Sequence, residues 1–271
     1  MVPTVIVWRR YWWLPLIAVA AALIAFALIA APFYRPAGRS SSPIASSRKP
    51  VSDPLVRRRV YLGRSVLGRS IYAVKLGDPD NERRTLVVGV IHGNEPAGIP
   101  IARNLASRRP PKERLLWIIK DLNPDGLAAR TRQNANAVDL NRNFPWRWRP
   151  LGLRGALQYS GPRPLSEPES RIARSLILHV RPQITIWFHQ PLGVVDESGG
   201  SLSVERRFSR LAGLPLHRLT RYPGSAASWQ NHRLPQTTAF VVELPPGRLS
   251  SGRVSGYAGA TLELAPGVKA G

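Results

Sequence analysis

Three apolar runs of this sequence each end in a side chain that can bind a metal ion or move a proton: His92, His189 and Glu243. The chain has five histidines and no cysteine, so a metal site must use imidazole and carboxylate ligands. Glu95 follows His92 by three residues, close enough for both side chains to reach one point. Two histidines and one glutamate leave a fourth zinc position open for water, as in catalytic sites. A histidine after a strand can also simply hydrogen-bond a turn, and this simpler interpretation stays open at this point.

The elements that must position these residues follow from hydrophobic periodicity. Valine-rich apolar runs predict buried strands, and apolar residues at helical spacing predict helices. A hairpin is predicted over residues 62–76, and buried strands over residues 86–91, 115–120, 184–188 and 238–242. One helix is predicted to begin at residue 95 and to end before residue 110, and a second to span residues 167–178. Strands that alternate with helices predict an α/β fold, with a mixed, largely parallel sheet sandwiched by helices. Reactive residues in such sheets cluster beyond the carboxyl ends of the strands.

Three further motifs connect these residues to a known family. They are Asn123-Pro124-Asp125-Gly126, Arg132-Gln133-Asn134 and the segment 138–145, Val-Asp-Leu-Asn-Arg-Asn-Phe-Pro. Together with the His-Gly-Asn-Glu motif at 92–95, the sequence resembles the zinc carboxypeptidase superfamily, and in particular its short bacterial members that act as murein peptide amidases. The resemblance covers most of residues 61–246 and implies one Zn²⁺ ion bound by His92, Glu95 and His189.

The same resemblance implies roles for other residues. Glu243 matches the catalytic glutamate, and Arg132 resembles the arginine that polarises the scissile carbonyl. Asn141 and Arg142 match the pair that binds the carboxylate on the C-terminal side of the substrate. Asp139 corresponds to the carboxylate behind the first zinc histidine. Each role suits its side chain: a carboxylate can act as a general base, and a planar guanidinium binds a carboxylate through two donors.

Two positions depart from the larger members of the family. The digestive carboxypeptidases carry an arginine directly before the zinc glutamate, where this chain has Asn94. The tyrosine that closes over the substrate in those enzymes has a counterpart here in Tyr222, within Arg-Tyr-Pro-Gly at 221–224. Tyr222 is therefore a candidate substrate-binding residue that rests on a short local match.

The beginning of the sequence predicts a membrane anchor. Residues 11–34 contain no charged side chain and carry aromatic residues at both ends, and about 20 apolar residues span a bilayer as a helix. A cleaved secretory signal is the alternative, although its apolar region is usually shorter. We expect residues 1–35 to form a cytoplasmic tip and transmembrane helix, 36–54 a Ser/Pro/Arg-rich linker and 55–271 a peptidase domain. Basic residues flank the apolar segment on both sides, and we expect the catalytic domain on the extracytoplasmic side of the cell membrane.

The chain is strongly basic, with 39 Lys and Arg against 16 Asp and Glu, a net charge of +23. Such a charge suits an anionic partner, which could be nucleic acid, lipid or an acidic polymer. The arginines are scattered, and no motif of a nucleic-acid-binding fold accompanies them. We therefore expect no specific nucleic-acid partner. We also expect the protein to be a monomer.

The resemblance implies a zinc-dependent hydrolase of an amide bond in a cell-wall peptide, at the junction of γ-D-glutamate and a diamino acid. The first alternative is an N-acyl amino acid deacylase of the aspartoacylase or succinylglutamate desuccinylase type, on a shared scaffold. A non-catalytic envelope-binding module on a decayed peptidase fold is the second. A nucleic-acid or lipid binder is the third, and its binding should weaken steeply with salt.

Overall fold

The computed structural model describes residues 55–264. The predicted membrane helix and the linker lie outside these residues, so both stay predictions. Within residues 55–264, no helix combines the length and the apolar character that are needed to cross a bilayer.

A mixed sheet forms the centre of the described domain. Its strands are β1 (Val56–Arg64), β2 (Ser70–Gly77), β3 (Arg84–Val88), β4 (Leu115–Ile119), β5 (Ile184–His189), β6 (Val194–Asp196), β7 (Leu216–His217) and β8 (Thr238–Glu243). They lie in the order β1-β2-β4-β3-β5-β8-β6-β7. The four central strands β4, β3, β5 and β8 are parallel to one another, whereas β1, β2 and β6 join by antiparallel pairing. The predicted α/β fold is thus observed, with a parallel centre.

Helices cover both faces of the sheet. They are α1 (Gly98–Ser107), α2 (Pro124–Ala129), α3 (Pro168–Val180), α4 (Leu202–Ala212), α5 (Ala226–Arg233) and α6 (Ser251–Glu263), with a 3₁₀ turn at Leu140–Arg142. Helices α1, α4 and α6 contribute to the apolar core on one face, and α3 and α5 to the core on the other. The central strands serve both cores, because alternate residues point to opposite faces: Val87 and Ile186 lie in one core, Leu86 and Trp187 in the other.

Two helices begin in different ways. Helix α3 begins at Pro168 after Glu167, and the Ser166 hydroxyl donates to the Glu167 carboxylate rather than capping the helix. Helix α2 begins at Pro124, after Asn123. There the Asn123 side chain accepts from the Gly126 amide and Pro124 takes the first helical position, where its missing N–H costs nothing.

Candidate active site

The carboxyl ends of β3, β5 and β8 bring the predicted reactive residues to one edge of the sheet. His189 and Glu243 end neighbouring parallel strands and face each other in register. His92 lies a few residues beyond the end of β3, on the other side of β5. Parallel strands deliver their carboxyl ends to the same edge, which explains how residues far apart in sequence meet here.

His92, Glu95 and His189 form a buried cluster. The Glu95 Oε2 atom lies 2.9 Å from His92 Nδ1 and 3.0 Å from His189 Nδ1, and the two imidazole rings are 4.7 Å apart between centroids. One ligand atom from each residue lies within 4.8 Å of the others. Two ring nitrogens and a carboxylate oxygen that converge in this way form a donor set for zinc.

Asp139 fixes the orientation of the first histidine. Its Oδ1 atom lies 2.9 Å from His92 Nε2 and also accepts from the Asn141 amide at 2.9 Å. When Nε2 donates to Asp139, the other ring nitrogen, Nδ1, which faces Glu95 and His189, can bind a metal ion. A carboxylate behind a metal-binding histidine commonly sets the tautomer and raises the basicity of the ligand, so the donor set fits a bound metal ion.

The electrostatics of the cluster favour a positive charge. Burial alone lowers the pKa of His92, but the charges of Asp139 and Glu95 outweigh burial and raise the pKa above its ordinary value. Burial alone raises the pKa values of Glu95 and Asp139. The imidazoles of His92 and His189 nevertheless hold the pKa of Glu95 well below the usual range, and His92 and Arg132 do the same for Asp139. Both carboxylates therefore stay ionised around the imidazoles, which suits a site for a cation.

A close backbone contact positions the loop that carries His92 and Glu95. A Cβ atom on Gly93 would lie only 1.9 Å from the carbonyl carbon of Gly126, at the start of α2. Only glycine fits at this distance. The segments 92–95 and 123–126, which the sequence analysis singled out separately, therefore pack directly against each other.

Arg132 connects the metal ligands to their support. Its Nη1 atom donates to Glu95 Oε1 and its Nε atom to Asp139 Oδ2, both at 2.9 Å. The side chain is 18% exposed and borders the open site. Two carboxylates thus hold the guanidinium next to the place where a substrate carbonyl would meet the metal.

Asn141, Arg142 and Tyr222 lie together on the wall of the site. Asn141 Oδ1 accepts from the Ala226 amide at 2.9 Å, and Arg142 Nη1 donates to the Asn141 carbonyl at 2.8 Å. The Arg142 guanidinium lies 4.1 Å from the centroid of the Tyr222 ring. Gly224 brings the two loops together, since a Cβ there would lie 2.1 Å from the Arg142 carbonyl oxygen.

Glu243 stands at the end of β8 beside His189. Burial raises its pKa above the ordinary value. Its Oε2 atom is buried and has no hydrogen-bond partner among residues 55–264. A buried carboxylate oxygen without a partner in a reactive cluster is available to a water molecule or a substrate.

A cavity of about 330 Å³, here called the catalytic cavity, is lined by His92, Arg132, Asn141, Arg142, His189, Tyr222 and Glu243. Its wall also contains Asp196, Ser198 and Arg221, which the sequence did not single out. Asp196 Oδ2 accepts from the Ser198 hydroxyl at 2.6 Å and from Arg221 Nη1 at 3.1 Å. The available signal was the short run Val194-Val195 ending in an acid, the same pattern as at the other strand ends.

Two larger cavities adjoin the catalytic cavity. The arginine groove, about 620 Å³, shares Arg221 and Tyr222 with it and is also lined by Arg147, Arg149 and Arg218. The proline cavity, about 880 Å³, meets the catalytic cavity at residues that line both, Arg132 and Leu157. Its wall includes four prolines: Pro96, Pro100, Pro191 and Pro246.

Known proteins of similar sequence and structure are hydrolases. The zinc carboxypeptidase family profile matches residues 52–194. Murein peptide amidase A of Vibrio campbellii is 34% identical over 198 residues, which cover 68% of this chain and 78% of that protein. The crystal structure of murein-tripeptide amidase from Escherichia coli O157 has a TM-score of 0.59 and 27% identity, and covers 80% of this chain and 95% of that one. Carboxypeptidase A of Helicoverpa armigera shares the fold, with a TM-score of 0.68 at 17% identity over 77% of this chain and 67% of that one.

The family match and the observed site agree with each other. The profile spans just over half of the chain and includes His92, Glu95, Arg132, Arg142 and His189. The His-Glu-His cluster provides the ligands for one zinc ion. The chain therefore belongs to the zinc carboxypeptidase family and is a zinc-dependent hydrolase.

Proposed function

We propose that this enzyme hydrolyses an amide bond in cell-wall peptides, between the γ-carboxyl of D-glutamate and a diamino acid. The observation that carries the proposal is the cluster of His92, Glu95 and His189, whose two histidines line one cavity together with Glu243 and Arg142. The names of the relatives that match most of the chain, murein peptide amidase and murein-tripeptide amidase, support the choice of substrate.

The residues around the cluster divide the chemistry among them. When bound, zinc polarises a carbonyl and lowers the pKa of a coordinated water toward about 7. Glu243 accepts the proton of the attacking water and passes it to the departing amine, as a general base and then a general acid. Arg132 carries a permanent charge and stabilises the oxyanion that develops on the carbonyl.

Arg142 and Tyr222 bind the leaving residue of the substrate, the first through its charge and the second by covering it. The Arg142 guanidinium is buried, and its Nε atom has no hydrogen-bond partner among the described residues. It offers a charge-assisted pair of donors to the main-chain carboxylate of the diamino acid. Tyr222 is 40% exposed and lies against this guanidinium, where it can cover a bound residue.

The substitution Glu243→Gln tests the function. It keeps the shape of the side chain but removes the base, so we expect a loss of 10²–10⁴-fold in kcat on a murein tripeptide and unchanged zinc content. Wild-type assays on N-acetylaspartate and succinylglutamate run in parallel. Preference for these acids over the murein peptide would favour the deacylase alternative, and full activity of Glu243→Gln would remove the assigned base.

The location of the enzyme is part of the proposal. The uncharged segment 11–34 supports a membrane tether, and the net charge of +23 suits an anionic cell envelope. The catalytic domain then works at the outer face of the cell membrane, where cell-wall peptides are found. Protease accessibility of the domain in intact spheroplasts measures this directly.

A further inference from the structure

The amino ends of the central strands form the edge of the sheet that lies opposite the catalytic cavity. Strands β3, β4, β5 and β8 run parallel from this edge to the reactive residues. The six residues of β5 separate the two edges by roughly 20 Å, at about 3.3 Å per residue. Val56, the first residue of β1, pairs with Gly77 of β2, which in turn pairs with Leu115 at the start of β4. The chain before residue 55 therefore joins the domain at this edge.

Five basic residues, here called the basic cluster, gather at this edge: Arg83, Arg108, Arg109, Lys112 and Arg114. Arg83 and Arg114 directly precede β3 and β4, and the other three lie in the loop between α1 and β4. The residues from this loop and Arg114 surround a cavity of about 560 Å³, whose described lining contains one acid, Glu113. Among residues 55–264, no member of the cluster forms an ion pair within 4 Å.

Uncharged groups hold the base of the cluster in place. Arg114 Nη1 donates to the Leu264 carbonyl at 3.1 Å, and Arg108 Nε donates to Asn104 Oδ1 at 3.0 Å. The other three side chains of the cluster are exposed. Burial, and then the charge of Arg83, lower the pKa of Arg114. Positive charges gathered without counter-ions raise the local concentration of anions.

The acids of the adjacent turn do not neutralise the cluster. Asp78 and Asp80 lie between β2 and β3, and the Asp78 amide donates to the Arg114 carbonyl at 3.2 Å. The Asp78 carboxylate accepts from the Asp80 amide at 3.0 Å, within its own turn. Among the described residues, neither acid forms an ion pair with a basic side chain. The charge of the cluster therefore stays available to an external partner.

We propose that the basic cluster docks on a membrane surface that carries anionic lipid headgroups. Guanidinium and ammonium groups form charge-assisted hydrogen bonds with phosphate, and basic residues next to an anionic bilayer are attracted to its surface. A membrane fits as the partner because the chain that leads to the uncharged segment 11–34 leaves the domain at this edge. Docking there turns the catalytic cavity away from the bilayer, toward a wall polymer. The inference adds a lipid partner to the proposed location and does not depend on which bond the enzyme cleaves.

Vesicle binding by the domain alone tests the contact. Both apolar cores lie within residues 55–264, so the fragment 51–271 keeps the packing that folds the domain and omits the apolar segment. Co-sedimentation compares vesicles of phosphatidylcholine with vesicles that also contain about 30% phosphatidylglycerol, an anionic lipid. We expect the fragment to bind the anionic vesicles at least about tenfold more tightly, and this preference to decrease as salt is raised. Equal binding to the two kinds of vesicle would overturn the proposal.

The double variant Arg109→Gln/Lys112→Gln assigns the binding to the cluster. Both side chains are exposed, and the affinity for anionic vesicles should fall by about fivefold for each charge removed, roughly 25-fold in all. Arg130→Gln/Arg154→Gln is the control with the same charge change, at two exposed arginines on the catalytic side. Arg130 directly follows α2, and Arg154 lies in the loop that carries Leu157 of the catalytic cavity. The control should stay within about twofold of the wild type, because charges more than about 10 Å from the bilayer are screened. Equal losses in the two double variants would show a general effect of net charge and overturn the docking surface.

Fluorescence quenching on the full chain tests the orientation. The sequence has no cysteine, so one introduced cysteine can carry a dye: Glu113→Cys beside the basic cluster, or Leu153→Cys on the catalytic side, where Leu153 is 85% exposed. In nanodiscs that contain phosphatidylglycerol and a spin-labelled quencher lipid, we expect quenching of the dye at position 113 and none at position 153. Quenching at 113 that does not exceed quenching at 153 would overturn the docking surface. Neither this measurement nor vesicle binding involves hydrolysis. If both succeed but no murein peptide is cleaved, the docking surface stands and the assigned reaction fails.

Discussion

The two large cavities that flank the catalytic cavity differ in how they can recognise a substrate. The arginine groove presents guanidinium groups on a stacked aromatic wall. The proline cavity presents apolar side chains, including Ile99 and Leu249, beside its four prolines. Proline has no N–H to donate and a fixed φ angle, so this wall offers a rigid shape rather than hydrogen-bond donors. Under the proposed function, we therefore expect the leaving residue to be recognised by charge and the acyl part of the substrate by shape.

Arg132 lines both the catalytic cavity and the proline cavity, so its substitution tests the centre of the site, where both parts of the substrate meet. Arg132→Lys keeps the charge, but an ammonium cannot contact Glu95 and Asp139 and still face the carbonyl. We expect kcat to fall by about 10²–10³-fold, as when an oxyanion donor is removed. Steady-state kinetics should show the same loss for substrates shortened on either side, with zinc content checked by elemental analysis. A change confined to KM would contradict the assigned role.

In the proposed function, Arg142 contacts only the leaving residue of the substrate. Arg142→Lys removes the paired donors, and we expect KM to rise by about 10–30-fold, in the range of a hydrogen bond to a charged group. The matched control is a substrate whose main-chain carboxylate is amidated, because it has no charge for Arg142 to bind. Wild type and variant should cleave the amidated peptide equally poorly. An equal loss on both substrates would show that the substitution disturbs the wall rather than the contact.

The meeting of the central residues of the site was easier to predict from the sequence than the wall around them. His92, His189 and Glu243 could be placed at one edge of the sheet because each follows an apolar run that belongs to a buried central strand. Arg221 and Asp196 could not, since β6 has three residues and β7 two, too few for periodicity to appear. The ion pair between Arg221 and Asp196 depends on how the loops around these two short strands pack, and the sequence pattern does not show this packing.

The buried carboxyl group of Glu205 makes the stability of the domain depend on pH. This buried residue of α4 accepts from the Gly200 amide, and burial raises its pKa to about 7, with Asp196 acting in the same direction and Arg221 opposing. The unfolded chain loses this proton near pH 4.5 and the folded chain near pH 7. Between these values the folded state binds more protons, so stability falls as pH rises.

Glu205→Gln should therefore stabilise the domain at pH 8 but not at pH 4. We expect a gain of roughly 2 kcal/mol in the free energy of unfolding at pH 8, since one unit of pKa shift is about 1.4 kcal/mol and partial solvation reduces the total. Urea unfolding of both proteins at the two pH values measures the difference. A gain of equal size at both would mean that ionisation of Glu205 is not its cause.

Substitution of Ile99 should have the smallest effect, and it tests most directly whether the proline cavity binds the acyl part of the substrate. It is half-buried in the wall of the proline cavity, and Ile99→Ala removes about 1 kcal/mol of apolar contact, or roughly fivefold in kcat/KM. The loss should appear for L-Ala-γ-D-Glu-diaminopimelate and be absent for γ-D-Glu-diaminopimelate, which lacks the alanine. Arg218→Gln, in the arginine groove, should affect these two peptides alike. In the double variant the two losses should add on the longer peptide, because Ile99 and Arg218 line cavities that have no residue in common. If Ile99→Ala instead weakens both peptides equally while the urea midpoint stays unchanged, the acyl chain does not lie in the proline cavity, and the contrast between the two sides fails.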